Sequence, residues 1–185
     1  MSGLVERRLL MERVDVTRAL RRIALQVIER VKSVDRLALV GVRTRGVPLA
    51  KRLQTFICEA EGVRPPVGEL DITLYRDDVF DSLAVPEVKP THLPFDVSGR
   101  HLVLVDDVLF TGRTTRAALD ALMDWGRPKT VQLAVLVDRG HRELPLHADF
   151  VGMAVETGAD ESVRVRLSEV DGVDKVVLLG PGGAK

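Results

Sequence analysis

The chain has 185 residues with 27 basic and 27 acidic side chains, a formal net charge of zero. Its 45% apolar and 29% charged residues fit a globular domain, and with aromatics at only 4% the core has to be built from Val, Leu, Ala and Ile. A single cysteine, Cys58, excludes an internal disulfide framework and reads as a packing residue in a reducing compartment. No apolar run approaches the ~18 residues of a membrane span and the N-terminus lacks a signal-peptide core, so a single domain over 1–185 in the cytoplasm, without membrane contact, is expected. The charge is unevenly spread: residues 1–60 hold 13 basic and 6 acidic side chains, the remainder 14 and 21. Such an asymmetry marks either a solvated helical face or an anionic partner.

In chain order, apolar residues at Ala19, Leu20, Ile23, Ala24, Val27, Ile28 and Val31 predict a helix over 15–32, with Arg18, Arg21 and Arg22 on its other side. LALVGV (37–42) is a short apolar run of the buried-strand kind, and 47–61 reads as a helix. GELDITLY (68–75) alternates and predicts a strand, followed by a Pro-, Asp- and Ser-rich loop to 99. HLVLVDDV (101–108) is a strand that turns acidic at its C-terminal end, then TGRTTRAALDALMDWG (111–126) gives a turn and a helix. VQLAVLVD (131–138) is a further buried strand, with short strands expected near 148–155, 163–167 and 175–179. Alternating strands and helices imply a parallel α/β sheet flanked by helices, which binds ligands beyond the C-terminal strand ends. GVRTRG, VDDVLFTGRTT and VDRG all stand at such ends.

The segment LVLVDDVLFTGRTT (102–115) carries most of the chemistry. A strand delivers Asp106 and Asp107 to its end, and a turn of Thr111, Gly112, Arg113, Thr114 and Thr115 opens a helix. Free amides at a helix start, with Thr hydroxyls, suit a phosphate. Carboxylates repel phosphate, so the acidic pair must address hydroxyls or a metal, and a sugar phosphate offers both ends. GxxxxGK[ST] is absent, which sets the turn apart from a Walker loop. His92, His101, His141 and His147 lack the spacing of transition-metal ligands.

Apolar strand, two acids and T-G-x-T resemble the phosphoribosyl pyrophosphate (PRPP) signature of type I phosphoribosyltransferases. Together with GVRTRG, DITLYRDD and LVDRGHRELP, the chain from about 15 to 178 resembles the bifunctional pyrimidine-operon attenuation regulators and uracil phosphoribosyltransferases of bacteria. The resemblance implies a type I phosphoribosyltransferase fold with a small hood at about 139–160. It implies that Asp106 and Asp107 hold the ribose hydroxyls, directly or through Mg²⁺, and that 111–115 hold the 5-phosphate. Thr44, Arg45 and Gly46 would form the pyrophosphate loop, and Arg76, in LYRDD (74–78), would close over the leaving pyrophosphate. Phe110 stands where related purine enzymes place an Asp facing the ring, which favours a pyrimidine, or no base chemistry at all. Arg139 would address a base carbonyl, Phe150 would stack on the base and Val151 would offer backbone bonds.

The implied ligands are PRPP, uracil and the uridine nucleotides UMP and UTP, with Mg²⁺ as cofactor and a homo-oligomer, dimer or tetramer, as the assembly. The implied RNA surface for a pyrimidine-operon leader uses Arg18, Arg21, Arg22 and Arg142. The sequence departs from the family at that surface, with Leu25 in place of a His, His147 of an Arg and Met153 of a Lys, and AVETG (154–158) in place of NIPTS. Three readings follow: a uracil phosphoribosyltransferase with or without RNA binding, an RNA-binding regulator that keeps the pocket only as a nucleotide sensor, and an enzyme for another pyrimidine.

Overall fold

The computed structural model describes residues 4–76 and 90–182. Its first element is strand β1 (Leu4–Glu12), which runs into helix α1 (Arg13–Arg30). The Glu12 amide donates to Asp15 Oδ2 at 3.0 Å, which satisfies a backbone donor at the helix start. Then come β2 (Leu37–Val42), α2 (Gly46–Glu61), β3 (Val67–Leu70), β4 (His101–Leu109), α3 (Arg113–Met123) and β5 (Thr130–Asp138). The chain closes with β6 (Phe150–Ala154), β7 (Ser162–Arg166), the single-turn α4 (Ser168–Asp171) and β8 (Lys175–Pro181).

Five strands form a parallel sheet in the order β3-β2-β4-β5-β6. Every residue of β2 is buried, as its unbroken apolar run requires when both faces of a sheet are covered. Successive side chains point to opposite faces. Leu37, Leu39, Val103 and Val105 therefore pack with Leu20, Ile23, Leu49 and Leu53 of α1 and α2. Ala38, Val40, Leu102 and Leu104 pack with Ala117, Ala121 and Leu122 of α3. Parallel register brings Val42, Asp106 and Val137 to one edge of the sheet: Gly41 pairs with Val105, Asp106 with Val135 and Val108 with Val137.

Three differences from the sequence reading matter for the site. The strand expected over 68–75 stops at Leu70, because the Asp71 carboxylate accepts the Thr73 amide at 2.8 Å and the chain coils into a 3₁₀ turn at Thr73–Tyr75. The expected hood at 139–160 is not a separate layer: 150–154 is β6, the fifth strand of the main sheet. The smaller layer is instead an antiparallel sheet β1-β8-β7 from the two chain ends, whose Val163, Val165, Val176 and Leu178 join the α1 core. Its strand β1 escapes a period-2 reading because register shifts after Glu6 and Leu9 break the alternation.

Candidate active site

Beyond the C-terminal edge of β2 and β4 lies a polar cleft of about 480 Å³, lined among others by Thr44, Arg45, Arg76, Asp106, Asp107 and Thr114. Five of the positions expected to meet the sugar and pyrophosphate thus face one cavity with the first turn of α3. The rest of LYRDD, Asp77 and Asp78, lies outside the described residues. Arg43, Asp71 and Thr73 also line the cleft. Sequence reasoning passed over them because only the early end of β3 swings Asp71 and Thr73 across the strand ends.

Asp106 ends the unbroken buried run of β4, Leu102–Asp106, and is only 8% exposed. Its Oδ1 accepts the Asp107 amide at 2.8 Å, and Asp107 Oδ1 accepts the Val108 amide at 2.9 Å. Burial raises the pKa of both carboxyls, and the neighbouring Asp107 charge raises that of Asp106 further. Two carboxylates held together away from water call for cationic or hydroxyl partners. Arg45 draws Asp107 the other way, back toward its charged form.

The loop at 43–46 is pinned to the acidic pair by a close approach. A Cβ on Gly46 would fall 2.2 Å from the Val105 carbonyl oxygen and 3.4 Å from Asp106 Cα, so only glycine lets α2 begin against β4. The peptide between Arg43 and Thr44 is cis. Arg43 donates to Glu69 at 2.8 Å, and its backbone amide donates to the Leu70 carbonyl at 3.0 Å. On the other side Gly112 takes φ +92 and opens α3, whose first amides have no carbonyl within the helix to meet. The Glu143 and Leu144 amides donate to the Thr111 carbonyl at 2.9 and 3.2 Å, and Arg113 Nε donates to Glu143 at 2.6 Å, which fixes the turn against the 140–146 loop.

Next to this turn the Phe110 ring, 38% exposed, carries the Arg139 guanidinium 4.0 Å from its centroid and the His141 ring edge-on at 5.9 Å. Arg139 is buried: Nε donates to Thr157 Oγ1 at 3.2 Å and Nη2 to the Glu161 carbonyl at 2.7 Å. Burial lowers its pKa from the ordinary guanidinium value. His141 reaches the same segment through the Thr157 carbonyl at 2.7 Å. The stretch 157–161 therefore lies beside the Phe110–Arg139 platform, bonded to Arg139 and His141.

Phe150 and Val151 do not. They register against Ala134 and Val135, well before the end of β5 at Asp138, and Phe150 is 5% exposed inside the α1-side core. An aromatic at the start of β6 is drawn into the space between sheet and α1, so its ring serves packing rather than stacking on a base. Arg142 is a second correction. It donates to the Phe110 carbonyl at 2.7 Å, the Gly140 carbonyl at 2.9 Å and the Leu146 carbonyl at 3.1 Å, and it pairs with Asp138. Its donors hold the loop together and leave little for RNA. Arg18, Arg21 and Arg22 are exposed on α1, with Arg21 over the Phe56 ring at 4.6 Å and 3.3 Å from Glu59, and Arg22 bonded to the Gly152 carbonyl.

Residues 13–165 match the phosphoribosyl transferase domain model. The chain belongs to the phosphoribosyltransferase family. It is 57% identical over 175 residues to the bifunctional protein PyrR of Thermus aquaticus, covering 95% of this chain and 97% of that one. It is 59% identical over 165 residues to the bifunctional protein PyrR of Chloroflexus aurantiacus, covering 89% and 91%. Among solved structures it resembles a hypoxanthine phosphoribosyltransferase of Trypanosoma cruzi with bound substrates, at TM-score 0.74 and 17% identity over 95% of this chain and 96% of that one. A hypoxanthine-guanine phosphoribosyltransferase of Bacillus anthracis gives TM-score 0.69 and 15% identity over 96% and 99%. At such identities the structural likeness speaks for the fold alone. The phosphoribosyltransferase architecture and the PyrR relationship thus agree with what the motifs around Arg45, Asp106 and Gly112 implied.

Proposed function

We propose that the protein transfers ribose 5-phosphate from PRPP to uracil, releasing pyrophosphate and forming UMP, and that uridine nucleotides in the same pocket tune its binding to leader RNA of a pyrimidine operon. The observation that carries the transfer reading is the Asp106–Asp107 pair, Asp106 buried and Asp107 half-buried, set in one cleft with Arg45 and the first turn of α3. The amides and hydroxyls of Thr111–Thr115 hold the 5-phosphate at the start of α3. Asp106 and Asp107 accept hydrogen bonds from the ribose hydroxyls, charge-assisted and shielded from water. As the bond from C1 to the pyrophosphate oxygen breaks, positive charge grows on the ribose and negative charge on the leaving group. Asp106 and Asp107 face the first, Arg45 and Arg76 the second, and the ring nitrogen of uracil forms the new bond to C1.

Mg²⁺ suits this donor set. No trio of His, Cys, Asp or Glu among the described residues encloses an ion, but two adjacent carboxylates whose pKa values burial raises leave room for a hard cation completed by PRPP oxygens. When bound, it neutralises charge on the pyrophosphate.

The base lies beside Phe110, near 157–161. The Phe110 ring cannot accept or donate the hydrogen bonds by which a purine N7 would be read, and it occupies part of the space. The intact pyrophosphate clamp favours an enzyme over a sensor, since recognition of UMP alone has no use for Arg45 and Arg76. Arg18 and Arg21 remain as exposed cations for RNA phosphates. Purified protein with PRPP, Mg²⁺ and uracil should form UMP and pyrophosphate, while hypoxanthine and guanine give no nucleotide. A purine product, or no UMP from uracil, would overturn the assignment.

A further inference from the structure

Arg45 lines the nucleotide cleft, yet a residue 126 positions away holds its guanidinium. Nε donates to Asp171 Oδ2 at 3.2 Å and Nη2 donates to Asp171 Oδ1 at 2.7 Å. Asp171 ends α4 and is itself fixed, since its Oδ2 also accepts the Leu167 amide at 2.9 Å. The segment that carries it is bolted to α2 by Arg52, which reaches Ser168 at 2.9 Å, Glu169 at 2.5 Å and Asp174 at 2.7 Å. The anchor therefore does not depend on Arg45.

A guanidinium has five N–H donors. The side-on pair with Asp171 uses one on Nε and one on Nη2, which leaves both on Nη1 and one on Nη2. One on Nη1 and the one on Nη2 form the end-on fork that matches two oxygens of a phosphate, and the second on Nη1 stays free for a further oxygen. An arginine gripped in this way meets its anion already oriented, whereas a free one must lose side-chain freedom when the anion binds. Ordering one long side chain weakens an affinity by about three- to tenfold.

We propose that Asp171 is a positioning residue for phosphoribosyl transfer, holding Arg45 so that its three remaining donors serve the pyrophosphate group of PRPP. The proposal rests on the transfer reading above. It assigns to the small sheet and its α4 appendage a part in the reaction, because Asp171 reaches the cleft only through Arg45.

The test is a double-mutant cycle with Asp171→Asn and Arg45→Ala, read by steady-state kinetics and by calorimetric titration with PRPP and Mg²⁺. Asparagine keeps the acceptor for the Leu167 amide and removes the charge that grips Arg45. In the Arg45 background, Asp171→Asn should raise the KM and Kd for PRPP about three- to tenfold, leaving the uracil KM and the melting temperature near wild type. In the Arg45→Ala background the same change should shift them less than about twofold. An equal rise in both backgrounds, or a fall in the unfolding temperature that accounts for it, would overturn the proposal. Tighter PRPP binding by Asp171→Asn would overturn it as well, since Asp171 would then compete with pyrophosphate. Wild-type protein that binds PRPP without turnover would sink the transfer reading and leave the coupling to be decided by the titrations. Wild-type protein that binds no PRPP would end both.

Discussion

Gly46→Ala separates the two halves of the site by a single methyl group. The added Cβ would sit 2.2 Å from the Val105 carbonyl oxygen, whereas ordinary contacts lie at 3.4–4 Å. The atom it meets belongs to backbone inside a close-packed interior, so α2 and β4 must move apart by about 1 Å. Such overpacking costs about 1–3 kcal/mol, which for a domain of this size lowers the melting temperature by about 2–12 °C. The displacement falls between Arg45 and Asp106, and a misplacement of about 1 Å at reacting groups lowers turnover by about 100-fold. The natural control is Gly62→Ala at the other end of α2, where φ is +69 and no atom lies within 4 Å of the new Cβ. It should lose about 1 kcal/mol to left-handed strain and keep its activity. UMP formation at saturating uracil and varied PRPP, with thermal melts of both variants, reads the two effects separately. Soluble Gly46→Ala protein with wild-type kcat and PRPP KM would refute the argument that this close approach sets the site.

Asp106→Asn with Asp107→Asn should abolish UMP formation while the fold persists, and circular dichroism checks the second half. Because burial raises the pKa of Asp106, its ionised form destabilises the folded chain increasingly as pH rises above the ordinary carboxyl range, so ligand-free Asp106→Asn should melt higher than wild type at pH 7. Lower melting in that variant would show the pair already compensated. The carboxyls of Glu169 and Asp174 are held below their ordinary values, Glu169 by its hydrogen bond to Arg52. Their contribution is complete above about pH 5 and is lost as pH falls through the depressed values, so wild-type stability should drop in acid. Arg52→Ala, which strands the buried Asp174 carboxylate, should lose about 2–4 kcal/mol at pH 7 and flatten that acid limb, and a denaturant series from pH 3 to 7 measures both. For RNA, Arg18→Glu with Arg21→Glu should weaken binding to the operon leader and reduce its salt slope without altering uracil turnover, with UMP strengthening wild-type binding. Arg22 is left unchanged because it also bonds Gly152. Equal, weak binding of wild type and variant to leader and unrelated hairpin, with and without UMP, would leave the transferase reading alone standing.

The strands at 37–42, 101–109 and 130–138 and the turn at 111–115 are legible in the sequence because each is determined locally. Runs of apolar residues flanked by turn chemistry can do little but form buried strands, and two acids before T-G-R-T-T can do little but stand beside a helix start. Phe110 too is expected near the base, from its place in the motif that resembles those of related purine enzymes. What lies beside it was a matter of tertiary placement: β6 enters the main sheet, buries Phe150 under α1 and leaves 157–161 to bond Arg139. Arg142 reads as a surface cation until the loop folds back and its carbonyls claim it. Asp171 carries no local signal, since a carboxylate acquires meaning only when the chain brings an arginine to it, and Arg45 stands 126 residues away. Local patterning thus determined the sheet and the turn at 111–115, while pairings across long stretches of chain decided which side chains remain for ligands and which are spent holding the site in place.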